Sequence, residues 1–211
     1  QGGLLPDRTV FCRPRGYRLA VQYPYGYRGA DLAKYCPSPG GHGRSAGGAR
    51  LLGIHLEGPF LSTQYKGAMP EHLLRTGDPA LFYKYQQAAQ GAIRYMTVSP
   101  EVERVVEMIA ALRDQVAIAI GHSGADYETA CAAIDAGARA CTHTFNAMGL
   151  FHQHRPGIMG AVLERDVYCE AICDGRHLHP GSVRMLLACK GYDRVVAITD
   201  SIQRRPAGWT L

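Results

Sequence analysis

From residue 51 onward the chain repeats one unit: a short, continuous, β-branched apolar run, a polar residue at its end, then an amphipathic stretch of helical period. The runs cover residues 51–56, 93–98, 116–120, 138–142, 167–172 and 194–199. Strands that are apolar at nearly every position are covered on both faces, and their alternation with helices makes them parallel. Three of the helices have legible boundaries. In "SPEVERVVEMIAALRD" Ser99 stands as the N-cap and Pro100 at the first helical position, with Val102, Val105, Val106, Ile109 and Leu112 on one face. "SGADYETACAAIDAGA" starts near Ser123 and stops at Gly137, and "HPGSVRMLLACKG" stops at Gly191. No unit carries a G-x-G-x-x-G turn, so the α/β fold expected is a (β/α)8 TIM barrel rather than a dinucleotide-binding sheet. Six recognisable βα units are fewer than the eight that close a barrel, so an incomplete one is expected.

The first strands are either hidden in residues 1–50 or missing. Residues 1–48 form a basic segment rich in Gly, Pro and Tyr, which reads as loop or disorder, or as the product of a shifted reading frame, more readily than as strand and helix. Residues 49–203 make up the barrel portion, and 204–211 an unpatterned tail.

Composition narrows the function classes. With 46% hydrophobic residues, a chain of 211 can bury one substantial core. No apolar run reaches the length of a membrane helix, and "QGGLLPDRTVFCRPRG" lacks the pattern of a signal peptide, so a soluble cytoplasmic protein without a membrane partner is expected. The seven cysteines are odd in number, form no C-x-x-C pair and mostly lie in apolar segments, which argues against a disulfide framework. The net charge of +5 comes from the first 50 residues, which hold eight Lys/Arg and two Asp. That segment has no periodicity that would array its charge on a folded face, so no nucleic-acid partner is expected.

In a (β/α) barrel the loops that follow the strands share one face, and the chemistry sits there. The strand-end residues are Glu57, His122, His143 with Asn146, Asp174 with His177, and Asp200. Taken singly, Glu57 reads as a solvated loop carboxylate, His122 as a residue preceding a helix, and His152, His154 and His179 as surface histidines. Independent structural histidines have no reason to occupy successive strand ends, and the combination is what a hydrolytic metal site requires.

The same residues carry a family resemblance. "GIHLEGPFLSTQYKGA", "IGHSGADYETA", "THTFNAM", "CDGRHLHP" and "AITDS" have the order and spacing of the N-acetylglucosamine-6-phosphate deacetylases of the amidohydrolase superfamily, over about residues 49–202. The resemblance implies one divalent metal ion, zinc or iron, held by Glu57, His122 and His143, with Asp200 as the catalytic acid and base. It also implies that His177 contacts the substrate, an amino-sugar phosphate, that Asn146 and Ala147 hold its phosphate, and that the protein is a homodimer. The metal would polarise the acetamide carbonyl or acidify water, and Asp200 would take the water's proton and pass it to the departing amine.

Four features depart from the family pattern. The H-x-H pair of many amidohydrolases is absent, which favours one metal, and the family's small β-domain is absent too. After Ala68, where many members carry a residue able to reach the carbonyl, Met69 has a thioether that cannot donate a hydrogen bond. Aligned on the family's "HHREPG", His154 takes the place of the phosphate-binding arginine and Arg155 follows it; a neutral histidine is a poor replacement for a guanidinium fork. Two alternatives therefore stand beside deacetylation of N-acetylglucosamine 6-phosphate: an amidohydrolase acting on another amide or N-acyl sugar, and a truncated fragment without activity.

Overall fold

The structure is a computed structural model that describes residues 18–23 and 50–200; for residues 18–23, 50 and 51 it describes the backbone path alone. In chain order the elements are β1 (Arg18–Tyr23), β2 (Arg50–Glu57), α1 (Pro79–Ala88), β3 (Ile93–Val98), α2 (Val105–Leu112) and β4 (Ala117–Ile120). They continue with α3 (Tyr127–Ala136), β5 (Ala140–Cys141), α4 (Gly157–Glu164), β6 (Tyr168–Ile172), α5 (Pro180–Lys190) and β7 (Val195–Ile198). The seven strands form one sheet in the order β1-β2-β3-β4-β5-β6-β7, and every neighbouring pair is parallel. Sequential parallel strands joined by helices are the pattern of a (β/α)8 barrel. Here the sheet is an open, curled part of one, because β1 and β7 are not paired with each other among the described residues.

All six apolar runs are strands, although 138–142 contributes only Ala140 and Cys141. A seventh strand, Arg18–Tyr23, lies inside the segment that reads as unpatterned and pairs in parallel with β2. The expectations for the rest of residues 1–48, and for the tail 204–211, lie outside the described residues.

Two helix starts differ from the sequence reading. The helix after β3 begins at Val105 rather than Pro100, behind Arg104 in a left-handed conformation (φ 64°). Residues 100–104 form turns instead, with the Val102 N–H bonded to Ser99 O and the Val105 N–H to Val102 O. The N-cap of α3 is Asp126, whose carboxylate accepts the Thr129 N–H at 2.7 Å, not Ser123. The stops at Gly137 (φ 130°) and Gly191 (φ 70°) fall where expected, at a conformation only glycine adopts without strain.

The pleat divides each strand between two environments. On β2, Ile54 and Leu56 join the apolar core beneath the helices, as do Met96 and Val98 of β3 and Ile118 and Ile120 of β4. Against them pack Val105, Met108, Ile109 and Leu112 of α2 and Ile158, Met159 and Val162 of α4. The intervening residues face the barrel interior, and several are polar: His55 and Glu57, Tyr95 and Thr97, Thr142 and Glu170. That interior position is what turns the ends of β2, β4 and β5 towards one another.

Gly53 sets how closely β2 approaches β3. A Cβ there would lie 2.5 Å from the Ala92 carbonyl oxygen and 2.5 Å from the Arg94 side chain. Gly53→Ala is expected to destabilise the protein by about 1–3 kcal/mol through overpacking, measured as a lower denaturant midpoint at unchanged slope.

Candidate metal centre

Glu57 ends β2, His122 follows β4 by two residues and His143 follows β5 by two. All three side chains are buried. Glu57 Oε1 lies 2.6 Å from His122 Nε2 and 3.5 Å from His143 Nε2, and the two Nε2 atoms are 3.0 Å apart. The other nitrogen of His122, Nδ1, donates its proton to the Tyr65 carbonyl oxygen at 2.8 Å. A neutral His122 therefore turns a lone pair, not a proton, towards the carboxylate. Lone pairs this close repel unless a proton or a cation lies between them. Two imidazole nitrogens and one carboxylate oxygen form a donor set that suits a divalent zinc or iron ion. These residues are the one such cluster among the described residues, with ligand atoms within 4.8 Å of one another. His143 Nδ1 is buried without a hydrogen-bond partner there, consistent with Nε2 as its ligating atom.

The backbone bends to bring them together. His122 (φ 49°), His143 (φ 29°), Phe145 (φ 76°), Ala147 (φ 50°) and Asp200 (φ 44°) all adopt left-handed conformations uncommon outside glycine. Such strain, about 1–3 kcal/mol per residue, persists where surrounding contacts enforce it and collects at functional sites.

The charges are mutually adjusted. Burial raises the pKa of Glu57, but where a proton is shared among the three groups the hydrogen bonds and charge of His122 and His143 outweigh it and hold the carboxyl well below its usual range. Burial lowers the pKa of His143, but Glu57 outweighs it and raises the imidazole above its usual value. Behind the cluster, His55 Nε2, Thr97 Oγ1 and Thr142 Oγ1 form a buried chain with 2.7 Å links. Burial pushes His55 down to about 4, so it stays neutral. On β6, burial pushes Glu170 up to about 7, although its carboxylate accepts the His143 main-chain N–H at 3.4 Å.

The remaining expected residues surround this cluster to different degrees. Asp200 follows β7, half-buried, and its charge helps to raise the pKa of His143. Ala68 and Met69 lie on the loop that passes over His122, where a Cβ on Gly67 would meet the ring at 3.4 Å. Asn146 spends its amide Nδ2 on the His143 carbonyl oxygen at 3.1 Å, and the Ala147 carbonyl accepts the Ser123 N–H at 3.0 Å. His177 is exposed and donates from Nδ1 to Asp174 Oδ2 at 2.8 Å, which leaves Nε2 as an acceptor. His154 and Arg155 are both exposed on one tight turn just before α4, where the Arg155 N–H bonds the His152 carbonyl. Nothing in that turn buries one of the two in preference to the other.

His55, Thr97, Thr142 and Glu170 escaped sequence reading, as did the hydroxyl of Ser99, which accepts the Ser62 N–H at 2.9 Å. The signal for His55 was its i, i+2 relation to Glu57 on one strand, which places both on the same face.

An open, curled parallel sheet with a buried Glu/His/His cluster at its strand ends has the architecture and the donor set of an amidohydrolase-type metal site. No protein-family model matches the chain. The N-acetylglucosamine-6-phosphate deacetylase of Bacillus subtilis (strain 168) is 42% identical over 160 residues, covering 75% of this chain and 40% of that protein. The N-acetylgalactosamine-6-phosphate deacetylase of Escherichia coli O157:H7 is 36% identical over 162 residues, covering 76% and 43%. A crystal structure of the N-acetyl-D-glucosamine-6-phosphate deacetylase of Mycobacterium smegmatis aligns with TM-score 0.69 at 40% identity, over 71% of this chain and 40% of that one. A mutant of that enzyme in complex with N-acetyl-D-glucosamine-6-phosphate aligns with TM-score 0.77 at 33% identity, over 87% and 48%. The chain is thus homologous, through its barrel portion, to the N-acetylglucosamine-6-phosphate deacetylase family. It spans about two fifths of the length of the curated relatives it matches.

His55 gives this site a pH signature. Its folded pKa of about 4 lies below the unfolded value of 6.5, so between these values the unfolded chain binds more protons. Stability is therefore expected to fall as pH drops through that window, by about 3 kcal/mol in all. Equilibrium denaturation between pH 7 and 4 measures this, and His55→Asn should flatten the slope.

Proposed function

We propose that the chain carries the hydrolytic centre of an N-acetylglucosamine-6-phosphate deacetylase, which cleaves the acetamide of the sugar phosphate with water to give glucosamine 6-phosphate and acetate. The convergence of Glu57, His122 and His143 in a buried place carries this reading. The described barrel portion comprises residues 50–200 together with the strand Arg18–Tyr23. A divalent metal bound there, zinc or iron, supplies Lewis-acid polarisation of the amide and activation of water.

The protein's own residues do the rest. Asp200, beside His143, takes a proton from the attacking water and delivers it to the departing amine nitrogen, so that one carboxylate serves as base and then acid. His177, its tautomer set by Asp174, accepts a hydrogen bond from the substrate. Asn146 and Ala147 line the phosphate end, and Arg155 or His154 meets the phosphate there. The side chains of Ala68 and Met69 cover the acetamide side and can donate no hydrogen bond to it. The five described cysteines are all unpaired thiols, in keeping with a cytoplasmic setting. No helix among the described residues is long and apolar enough to cross a membrane. A homodimer is the assembly that goes with the family resemblance.

The likeness to an N-acetylgalactosamine-6-phosphate deacetylase favours a second reading of the substrate, the C4 epimer. Acetate release from the gluco- and galacto-configured 6-phosphates and from unphosphorylated N-acetylglucosamine separates these readings. Asp200→Asn is expected to lower the rate about 10²–10⁴-fold while leaving metal content unchanged. Glu57→Gln and a strong chelator should each remove the metal and the activity together. A chain that holds zinc or iron yet releases no acetate from any of these sugars would be a fragment that needs the rest of its barrel.

A further inference from the structure

The turn Ser99-Pro100-Glu101 follows β3, the strand lying between those that deliver Glu57 and His122. Its sequence reads as a helix start, yet α2 begins only at Val105, and both polar side chains are used elsewhere. Ser99 is fully buried. Its Oγ accepts the Ser62 N–H at 2.9 Å and directs its proton at the carbonyl oxygens of His122 (2.6 Å) and Gly121 (3.0 Å). Glu101 grips the next two residues, with Oε2 accepting from Ser123 Oγ and Oε1 from the Gly124 N–H, both at 2.7 Å. One turn therefore holds all four residues from Gly121 to Gly124, with the left-handed His122 among them.

The clamp reaches both sides of the cluster. Ser62 shares a loop with Tyr65, whose carbonyl takes the His122 Nδ1 proton. Ser123 is bonded through its N–H to the Ala147 carbonyl and through its carbonyl to the Gly149 N–H, so the loop that follows His143 is tied to the same residue. A hydroxyl and a carboxylate remote from the ligand atoms thus hold the main chain that carries His122, while the Tyr65 carbonyl takes the proton of its Nδ1.

We propose that Ser99 and Glu101 are the positioning residues of the metal centre, holding His122 with Nε2 turned to Glu57 and His143 and thereby setting the affinity for the metal. The inference rests on the reading of Glu57, His122 and His143 as metal ligands. Partners that orient a metal-bound histidine are typically worth about 10–100-fold in affinity.

The test measures zinc and cobalt(II) dissociation constants for the full 211-residue chain by competition with a chromophoric chelator, together with the melting midpoint of the metal-free protein. Ser99→Ala is expected to weaken binding about 10–100-fold and Glu101→Ala about tenfold. Glu101→Gln, which keeps an acceptor for the Gly124 N–H and a partner for Ser123, should restore affinity to within a few-fold of wild type. Glu107→Ala, on the exposed side of α2, should change nothing. Wild-type dissociation constants in Ser99→Ala and Glu101→Ala overturn the proposal, and a lowered melting midpoint with unchanged metal affinity overturns it equally, because that is a structural role alone. If Ser99→Ala does not fold, the exposed Glu101 variants decide. A wild-type chain that binds neither metal overturns the metal centre itself, a result distinct from wild-type binding that the variants leave intact.

Discussion

Glu57 Oε1 and the Nε2 atoms of His122 and His143 face one another across 2.6, 3.0 and 3.5 Å in a buried place. Away from water such an arrangement is unfavourable unless a proton or a cation is shared, because burial penalises the carboxylate and each lone pair repels the next. The protein enforces it nonetheless. His122 and His143 are held in left-handed conformations, and the Tyr65 carbonyl removes the alternative tautomer of His122. Where the shared charge is a proton, it draws the pKa of Glu57 down and that of His143 up.

The barrel makes this possible because parallel strands end together. Each strand offers alternate residues to the interior, so residues distant in sequence, at 57, 122 and 143, reach one point from three neighbouring places. The interior of such a barrel is ordinarily packed with branched apolar side chains. Here the side behind the cluster holds His55, Thr97 and Thr142 instead, linked by 2.7 Å hydrogen bonds. A buried polar chain of this kind stabilises only when its members are satisfied, and it rigidifies the strands that carry the ligands.

Much of the fold was legible because burial on both faces leaves a continuous apolar signal: six runs, six strands. Arg18–Tyr23 was not, since its short alternating pattern is set among Gly, Pro and Arg and acquires meaning only through its pairing with β2. Ser99 shows the opposite failure. Ser-Pro-Glu is a valid local signal for a helix start, but the side chains found better partners in the loop after β4, a contact separated by more than twenty residues that no local pattern encodes. Ser123 yielded to Asp126 as a cap because the helix begins only at Tyr127, the Ser123 hydroxyl accepting the Ala125 N–H in the turn before it.

The sequence by itself determined the parallel α/β architecture and the identity of the three residues that converge as a candidate metal centre, because residue type and position at strand ends depend on the chain alone. Only the tertiary structure decided which nitrogen each histidine presents, that His55 is buried and neutral rather than a ligand, and that Ser99 and Glu101 serve His122. Those outcomes depend on distances and desolvation between strands, which exist only once the sheet has curled and its ends have met.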